Sequence, residues 1–338
     1  MYSLKTFWRK VRNKISQKLI RMTRNSAIYP LLYRSWWHSR LHSSAGTNGT
    51  AYFAARPNPG AGIGHQMANW IAGLWFAKQF GLGFAHLPFS SDKWEDFFGF
   101  GRGEVSVEEL ASRGYRIVRL PLFNENNAEE VARVRDIIRS YGDKNVVFLA
   151  EQDQFYADQF GVMEELKQKF YAAPARRGEH LLYDEAYFNI AIHVRRGDIV
   201  AGQANKNPNL LMRWQSNDYF AKVLTNVIEN LLTEKPVRIY LFSQGKPEDF
   251  ADFNQFENVH FCLEMGAMDS FLHMVYADLL ITSKSSFSYK PALLSNGIKV
   301  CPDNFWHGYP NSEDWILADD NGKFDGGRLR EVVGEKQC

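Results

Sequence analysis

Short apolar runs alternate with helical patterns through the second half of the chain, and this alternation constrains the fold more than any other feature. Short apolar strands separated by helices are typical of a parallel sheet that is covered on both faces. Ligands bind such sheets beyond the carboxyl ends of the strands. The predicted strands cover 190–194, 237–242, 259–263, 279–282 and 298–301, and the helices between them cover 217–232, 247–253, 267–276 and 287–294.

The first half of the chain predicts a second α/β unit, and folded structure is expected from residue 51. At 338 residues the chain is longer than one hydrophobic core usually holds. We therefore predict an α/β protein of two domains, 46–175 and 176–338, that meet at the Pro- and Arg-containing segment 172–179. The first-half strands are expected at 51–55, 83–87, 115–120 and 145–149, and the helices at 65–80, 128–141 and 162–171.

Positive charge is concentrated in an N-terminal arm, residues 1–45. The net charge is only +2, yet every lysine, arginine, aspartate or glutamate before Asp92 is a lysine or an arginine. Apolar residues stand between these cations at spacings near three and four, as in an amphipathic basic helix. The arm either lies on an anionic membrane surface or is a solvated or packed basic segment. No zinc spacing, recognition motif or second basic stripe points to nucleic acid.

Targeting and redox features are sparse. No window of about 18 uninterrupted apolar residues occurs, and the basic start is not followed by a secretion signal. Three scattered cysteines, Cys262, Cys301 and Cys338, favour a reducing compartment over a disulfide framework. We expect a cytoplasmic protein, peripheral on a membrane if the arm binds one, or a Golgi protein if a eukaryotic anchor has been trimmed.

The segment 193–198, His-Val-Arg-Arg-Gly-Asp, is the strongest chemical cluster and follows the apolar run 190–192. Because side chains alternate along a strand, Arg195 and Arg196 should point to opposite sides, one to a cleft and one to the protein. An arginine in the cleft can bind a diphosphate through paired hydrogen bonds and stabilise the charge that grows when a sugar leaves it. Asp198 can orient an arginine. A surface ion-pair cluster is the other interpretation.

Hydroxyl groups are concentrated in the segment 283–289, between a predicted strand and a predicted helix. Hydroxyls and free N–H groups at a helix start form an anion site, although an ordinary serine cap gives the same pattern. Asp269 and His273 lie four apart on the preceding helix and could meet on one face, near a nucleotide base or as a structural pair.

A glycine loop at 60–64 opens the first long helix. Glycines let a ligand approach the backbone, but the Rossmann spacing and a following acidic residue are missing, so a tight turn explains them equally well. No metal site is expected, because the sequence lacks Asp-x-Asp in a strand-end loop and Cys-x-x-Cys. Asp319 and Asp320 are interpreted as a turn.

In order and spacing, these segments resemble the alpha-1,2-fucosyltransferases and related GDP-fucose-dependent enzymes. The family's glycine segment corresponds to 62–67, its H-x-R-R-G-D is intact at 193–198, and its S-S-F-S stands at 285–288. The resemblance implies a GT-B fold with two Rossmann-like domains facing a central cleft. It also implies GDP-fucose as donor, inversion at the anomeric carbon, no metal or other cofactor, and a glycan acceptor, with alpha-1,2 linkage to galactose expected.

The resemblance also implies roles for single residues. Acceptor binding is expected in the N-terminal domain and GDP-fucose binding in the C-terminal one. Arg195 is expected to hold the diphosphate and to act in catalysis. Independently of the resemblance, His65 is the candidate base if the reaction needs one, and Asp92 and Glu95 are the alternatives. The expected donor contacts are His193, Arg195, Arg196, Asp198, Asp269, Ser285, Ser286, Phe287 and Ser288.

Other functions stay open at this point. His65 stands where the family has asparagine, and Tyr289-Lys290-Pro291 replaces an aromatic pair and small residues, so another linkage, such as alpha-1,6, or another acceptor is an alternative. A non-catalytic, membrane-associated protein that binds a nucleotide sugar is a second alternative. A P-loop NTPase is excluded, because G-x-x-x-x-G-K-[ST] is absent.

Overall fold

The computed structural model describes residues 50–151 apart from Pro59, then 160–200 and 208–337, together with 26–34 and a few positions between 15 and 23. The chain divides into two compact units, and each has its own parallel sheet with helices. The predicted α/β class with two Rossmann-like sheets is confirmed. The first unit comprises Met1–Pro59, Ala68–Pro88 and Gly103–Ala157, and the second comprises Gly60–Met67, Phe89–Arg102 and Asp158–Cys338.

The first unit is built on a five-stranded parallel sheet of order β3-β2-β1-β5-β4. Its central strand pair is buried because helices cover both faces. Its strands are β1 (Tyr52–Ala55), β2 (Gly83–His86), β3 (Val105–Ser106), β4 (Arg116–Arg119) and β5 (Val146–Ala150). Its helices are most of α1 (Ile63–Phe80), α3 (Val107–Ser112) and α4 (Ala128–Arg139). The helix α2 (Asp92–Phe98) belongs to the second unit.

The helix α4 illustrates how local sequence sets these elements. The side chain of Asn127 accepts hydrogen bonds from the N–H groups of Glu129 and Glu130, which would otherwise lack partners at the helix start. The apolar residues Val134 and Ile137 then fall on the face that packs into the core.

The end of the N-terminal arm is part of the first unit, which corrects the expectation that folded structure starts at residue 51. Residues 29–34 form a short helical turn, and Tyr29 and Tyr33 belong to the buried core. The Tyr33 hydroxyl donates to the carbonyl oxygen of Arg119, and the Arg34 guanidinium donates to that of Ser140. Most of the predicted amphipathic helix lies outside the described residues.

The second unit is built on a six-stranded parallel sheet of order β11-β10-β9-β6-β7-β8. The central strand β6 is buried along its whole length. The strands are β6 (Phe188–His193), β7 (Val237–Phe242), β8 (Val259–Cys262), β9 (Leu279–Ile281), β10 (Ile298–Pro302) and β11 (Trp315–Ala318). The helices are α5 (Met163–Ala172), α6 (Pro208–Leu211), α7 (Asn217–Asn230), α8 (Ala267–Tyr276), α9 (Ser286–Leu294) and α10 (Gly326–Gln337).

The division of the chain differs from the predicted boundary at 175/176. The compact units separate at residue 157, because α5 packs against α9 and α2 inside the second unit. The segments 60–67 and 89–102 also belong to the second unit although they lie early in the chain. The helix predicted at 247–253 is a 3-10 helix, Pro247–Gln255, interrupted by non-helical backbone angles at Phe250.

The parallel register places the carboxyl ends of three strands side by side on the second sheet. Ile192 of β6 pairs with Leu241 of β7 and with Ile281 of β9, so the segments that follow these strands leave the sheet side by side. Two of the polar clusters found in the sequence begin at these strand ends.

Across the part of the chain that the structure describes, we find no helix with the length and apolar character needed to cross a bilayer.

Candidate functional site

A pocket of about 360 Å³ opens at the carboxyl ends of β6 and β7, within the second unit. It brings together residues from all three sequence clusters, namely the glycine loop, the 193–198 segment and the hydroxyl-rich segment. The lining residues are Gly62, Ile63, Trp94, His193, Val194, Arg195, Arg196, Phe242, Ser243, Gln244, Met265, Ala267, Ser270 and Phe287.

Arg195 is the arginine that is available to a ligand. Its side chain is 28% exposed, and Nη2 donates to Asp198 Oδ1 over 2.5 Å. The Asp198 carboxylate is exposed, so this ion pair is weak and solvent-screened. An anion with two oxygens can therefore compete for the guanidinium while Asp198 keeps it oriented.

Arg196 follows Arg195 beyond the end of β6, and protein groups bind its guanidinium although the residue also lines the pocket. Its guanidinium is buried, donates to the carbonyl oxygens of Arg195 (2.8 Å) and Gln215 (3.1 Å), and contacts the Asn217 side chain. It also lies 4.2 Å from the centre of the Trp214 ring. Burial lowers the pKa of Arg196 to about 10, which leaves it charged at neutral pH. Arg196 was expected to contact GDP-fucose. Its hydrogen bonds to Arg195, Gln215 and Asn217 favour a structural role, and the expected contact stays a prediction.

Gln215 connects two of the sequence clusters and was not found by sequence reasoning. Its backbone carbonyl accepts from Arg196, and its side-chain Oε1 accepts from the N–H of Lys284 over 2.9 Å. One buried residue therefore joins the 193–198 segment to the hydroxyl-rich segment. A single glutamine in a loop gives no signal that a sequence pattern could have detected.

His193 forms a second buried link between these strand ends. Its Nδ1 lies 2.8 Å from Ser283 Oγ, and its ring centre is 5.5 Å from that of Phe287. Burial, with the charges of Arg195 and Arg196, lowers the pKa of His193 to about 3. The imidazole is therefore neutral at physiological pH, and it holds the end of β6 against the segment that follows β9.

The hydroxyls of the segment 285–288 are used inside the protein. Ser285 caps α9 by accepting from the Phe287 N–H at 3.2 Å, and Ser286 Oγ lies 3.0 Å from His307 Nε2. Ser288 is fully buried, and its hydroxyl bonds to the carbonyl oxygens of Ser283 and Ser285. The Phe287 ring lines the pocket. The N–H groups of Ser288 and Tyr289 also donate to Ser285, through its carbonyl oxygen, so the attraction of this segment for an anion rests on the helix dipole rather than on the hydroxyls or these N–H groups.

The glycine loop reaches the start of α9. A Cβ atom at Gly64 would lie 2.7 Å from the carbonyl oxygen of Ser286, whereas a Cβ at Gly62 would meet nothing within 4 Å. The close approach therefore requires glycine at position 64. His65 follows, half-buried and outside the pocket lining.

Asp269 and His273 meet through the backbone rather than through the aspartate side chain. His273 Nε2 accepts from the Leu182 N–H at 2.9 Å, so Nδ1 carries the proton and donates to the Asp269 carbonyl oxygen at 2.6 Å. Burial lowers the pKa of His273, which keeps this ring neutral. The Asp269 carboxylate is exposed on the first turn of α8, next to Ser270, which lines the pocket.

Trp94 is a pocket residue that sequence reasoning missed. It lies on α2, is half-buried, and stacks on Phe98 with ring centres 5.4 Å apart. Ser91, followed by Asp92 and Glu95, is a helix-start pattern that could have predicted α2. The Glu95 carboxylate, considered above as a base, accepts from the Phe89 N–H at 3.0 Å, and Asp92 is exposed.

Metal-ligand geometry was searched among the described residues. No three or more His, Cys, Asp or Glu side chains there are grouped as potential metal ligands. Asp319 forms the predicted turn, because its carboxylate accepts from the N–H groups of Asn321 and Lys323.

Comparisons with known proteins place this chain beside fucosyltransferase structures at low similarity. No family model matches the sequence. No curated protein matches it either. Because the TM-scores are below 0.5 and the identities are 10–13%, we argue function from the residues of the site. Similar solved structures are POFUT1 in complex with GDP (13% identity, 75% of this chain and 97% of that chain, TM-score 0.45), POFUT1 in complex with GDP-fucose (10%, 75% and 97%, 0.43) and NodZ alpha-1,6-fucosyltransferase co-crystallised with GDP (13%, 82% and 98%, 0.41).

The buried histidines predict that stability falls in mild acid. In the unfolded chain His193 takes up a proton below its ordinary pKa of about 6.5, whereas in the folded protein it stays neutral down to about pH 3. Its contribution is therefore constant above pH 6.5 and is lost as the pH falls. Between pH 7 and pH 5 we expect His193 to account for about 2 kcal/mol of the lost unfolding free energy, measured by urea denaturation.

The control for this prediction is His193→Asn, which can keep a hydrogen bond to Ser283 and cannot titrate. The variant should lose less unfolding free energy than the unmodified protein over the same pH range. An equal loss in both proteins would show that His193 does not stay neutral in the folded state.

The contact at Gly64 predicts a difference between two neighbouring glycines. Gly64→Ala should lower the free energy of unfolding by about 1–3 kcal/mol, because the new methyl group overlaps the backbone of Ser286. Gly62→Ala, which meets open space, should cost less than about 1 kcal/mol. Urea denaturation of both variants at neutral pH measures the difference, and equal values would contradict the close approach of these segments.

Proposed function

We propose that this protein transfers L-fucose from GDP-fucose to a hydroxyl of a glycan acceptor, with inversion at the anomeric carbon and without a metal. The observation that carries the proposal is the position of Arg195. It faces the pocket at the carboxyl ends of β6 and β7, where the glycine loop and the start of α9 also meet. Carboxyl ends of parallel strands are where such folds bind ligands.

The chemistry of this pocket suits a nucleoside diphosphate. Arg195 supplies a fixed positive charge, and the start of α9 supplies the positive end of a helix dipole. When the sugar leaves, negative charge grows on the terminal phosphate of the diphosphate. Groups already aimed at that position stabilise the transition state more than the ground state. Arg195 would thereby supply charge stabilisation that a metal ion gives in other transferases.

The identity of the donor comes from the ordered resemblance to GDP-fucose-dependent enzymes. The segments 62–67, 193–198 and 285–288 lie far apart in the sequence, yet residues from each of them line one pocket. Trp94 adds an aromatic ring to that pocket, and the face of such a ring suits the apolar side of a sugar. These features support a donor with both a diphosphate and a sugar.

The proton of the acceptor hydroxyl needs a route out of the site. Fucose can leave with much oxocarbenium character, so a strong base is not required. We propose that His65 accepts this proton, because it is half-buried at the start of α1, directly after the Gly64 contact. The roles proposed for His193, Asp198 and Asp269 are to position Arg195 and to seat the nucleotide.

The acceptor is proposed from the resemblance alone. Residues 46–175 would bind it, and alpha-1,2 linkage to galactose is the first choice. Another linkage, such as alpha-1,6, is the alternative, since the departures at His65 and at 289–291 fall on expected ligand contacts. A nucleotide-sugar-binding protein without turnover is the second alternative.

The test is a transfer assay on three arginine variants, with EDTA present throughout. GDP-fucose and a set of galactose-terminated and other glycans are incubated with the protein, and GDP release and fucosylated product are measured. Arg195→Ala should lower turnover by roughly a hundredfold or more, because the leaving diphosphate loses its cation, with Arg195→Lys intermediate. Arg330→Ala, an arginine of the same unit that does not line the pocket, should leave turnover unchanged.

Three outcomes separate the alternatives. Failure of calorimetry to detect GDP or GDP-fucose binding in EDTA would overturn the donor assignment. Binding without transfer to any acceptor would favour the non-catalytic alternative. Where product forms, nuclear magnetic resonance of the product assigns the linkage and the anomeric configuration.

A further inference from the structure

A second cavity, of about 460 Å³, lies in the second unit at the opposite ends of the strands from the pocket described above. Phe188 and Ile298, the first residues of β6 and β10, line it, whereas Arg195 follows the carboxyl end of β6. The helix α8 runs between the two places, because Ala267 at its start lines the first pocket and Tyr276 at its end lines this cavity. The volume is that of a site for a small organic molecule.

The lining of this cavity is mostly apolar and aromatic. Tyr171 and Tyr276 lie in it with ring centres 5.7 Å apart, and the Tyr171 hydroxyl donates to the carbonyl oxygen of Leu294 at 3.1 Å. Such a surface suits the apolar body of a ligand. The buried apolar side chains of the lining are Phe188, Val275, Ile298 and Val333.

The backbone around the cavity is held in a fixed position. A Cβ atom at Gly297 would lie 2.1 Å from the carbonyl oxygen of Ala277 and 2.8 Å from that of Asp278, so the close approach requires glycine. The Ile298 N–H also donates to the Asp278 carbonyl oxygen at 2.8 Å. The loops before β9 and β10 are thereby joined, and a ligand would meet a site that is already formed.

Two lysines, Lys235 and Lys336, bring positive charge to the lining. Lysine side chains can add apolar surface through their stems while the amino groups stay in water. Lys336 also donates to the carbonyl oxygen of Asn296. Partial burial lowers the pKa of Lys336, and the charge of Lys167 lowers it further, so a third cation lies nearby.

The acidic groups around the cavity already have protein partners. Among the lining residues, all of which the structure describes, Asp278 is the acidic one, and its Oδ2 accepts from the Asn189 backbone N–H at 2.7 Å. Asp314, whose charge also acts on Lys336, forms an ion pair with the buried Lys299. The lysines therefore leave an excess of positive charge for a ligand.

We propose that this cavity binds a small organic anion. The apolar or aromatic body of the ligand packs against the lining, and its anionic group binds Lys235 and Lys336. A depression elsewhere on the same unit is a natural comparison, because Lys222 and Lys323 line it with polar residues alone. Positive charge without apolar surface should not hold such a ligand. The proposal does not rest on the proposed function, since the two pockets share no lining residue.

The experiment is methyl nuclear magnetic resonance of the full-length protein with labelled isoleucine. The Ile298 methyl group reports on this cavity, and the Ile63 methyl group reports on the pocket that contains Arg195. Ile298→Val and Ile63→Val assign the two signals. Phenylbutyrate is the probe, and phenylbutanol and phenylbutylamine carry the same body with a neutral and a cationic group. No nucleotide is present.

The test variant is Lys235→Met/Lys336→Met, which removes two charges and keeps an apolar side chain at each position. The matched control is Lys222→Met/Lys323→Met, which removes two lysines from the polar depression of the same unit. Circular dichroism and thermal unfolding check the fold of each protein. If the test variant does not fold, Lys235→Met alone makes the same test with a smaller effect.

We expect phenylbutyrate to shift the Ile298 signal in a saturable way. Phenylbutanol should bind roughly fivefold or more weakly, because it lacks the charge that the lysines bind. The test variant should weaken phenylbutyrate binding by a similar factor and leave phenylbutanol binding unchanged. The control variant should bind both compounds as the unmodified protein does.

The contrary results are equally specific. Absence of a shift at Ile298 with several millimolar phenylbutyrate would overturn the proposal. A shift confined to Ile63 would place the probe in the other pocket and would also overturn it. Equal or tighter binding of phenylbutanol or phenylbutylamine at Ile298 would overturn the assignment of an anion.

Discussion

The hydrogen bond between His193 and Ser283 is the contact on which the candidate site most depends. It joins the end of β6 to the segment after β9 at a position from which water is excluded. A buried polar group that loses its partner costs more than an exposed one, because no water can replace the lost bond. The two strand ends are therefore fixed to each other, and so are the residues that follow them.

The neighbouring contacts of Arg196 and Gln215 connect further segments to these strand ends. Arg196 is held by two carbonyl oxygens and by the Trp214 ring, and Gln215 passes the connection to Lys284. Arg196 is thus a structural cation whose charge is satisfied by protein groups. Its rigid placement sets the position of Arg195, which points out of the same backbone into the pocket. Two adjacent arginines therefore have separate tasks, which follow from their different hydrogen-bond partners.

The sequence predicted much of the second unit because its pattern repeats with the geometry of parallel strands and covering helices. The strand at 237–242 and the helix at 267–276 were placed to the residue. The helix α10 was missed, because Gly326, Gly327 and Gly334 weaken its helical pattern. The strand β11 was missed because it is short and follows a long irregular segment.

The site was predicted in outline, and its details depended on contacts that no pattern contains. The three clusters were found because strand ends collect functional residues. The serines were expected to face a ligand, yet Ser288 is turned inward to the backbone of its own loop. Gln215 and Trp94 enter through tertiary packing from other segments. The segments 60–67 and 89–102 also join the second unit through tertiary packing. A single boundary in the sequence cannot predict a unit that is built from separate segments of the chain.

The central claim is that one pocket holds a nucleoside diphosphate between Arg195 and the start of α9. The most direct measurement is a crystal structure of the protein grown with GDP in EDTA. We predict that the diphosphate oxygens lie within hydrogen-bond distance of the Arg195 guanidinium and next to the start of α9, while Arg196 keeps its contacts with Gln215. GDP bound elsewhere, or a pocket that stays without nucleotide at saturating GDP while Arg195 remains paired with Asp198 alone, would contradict the account.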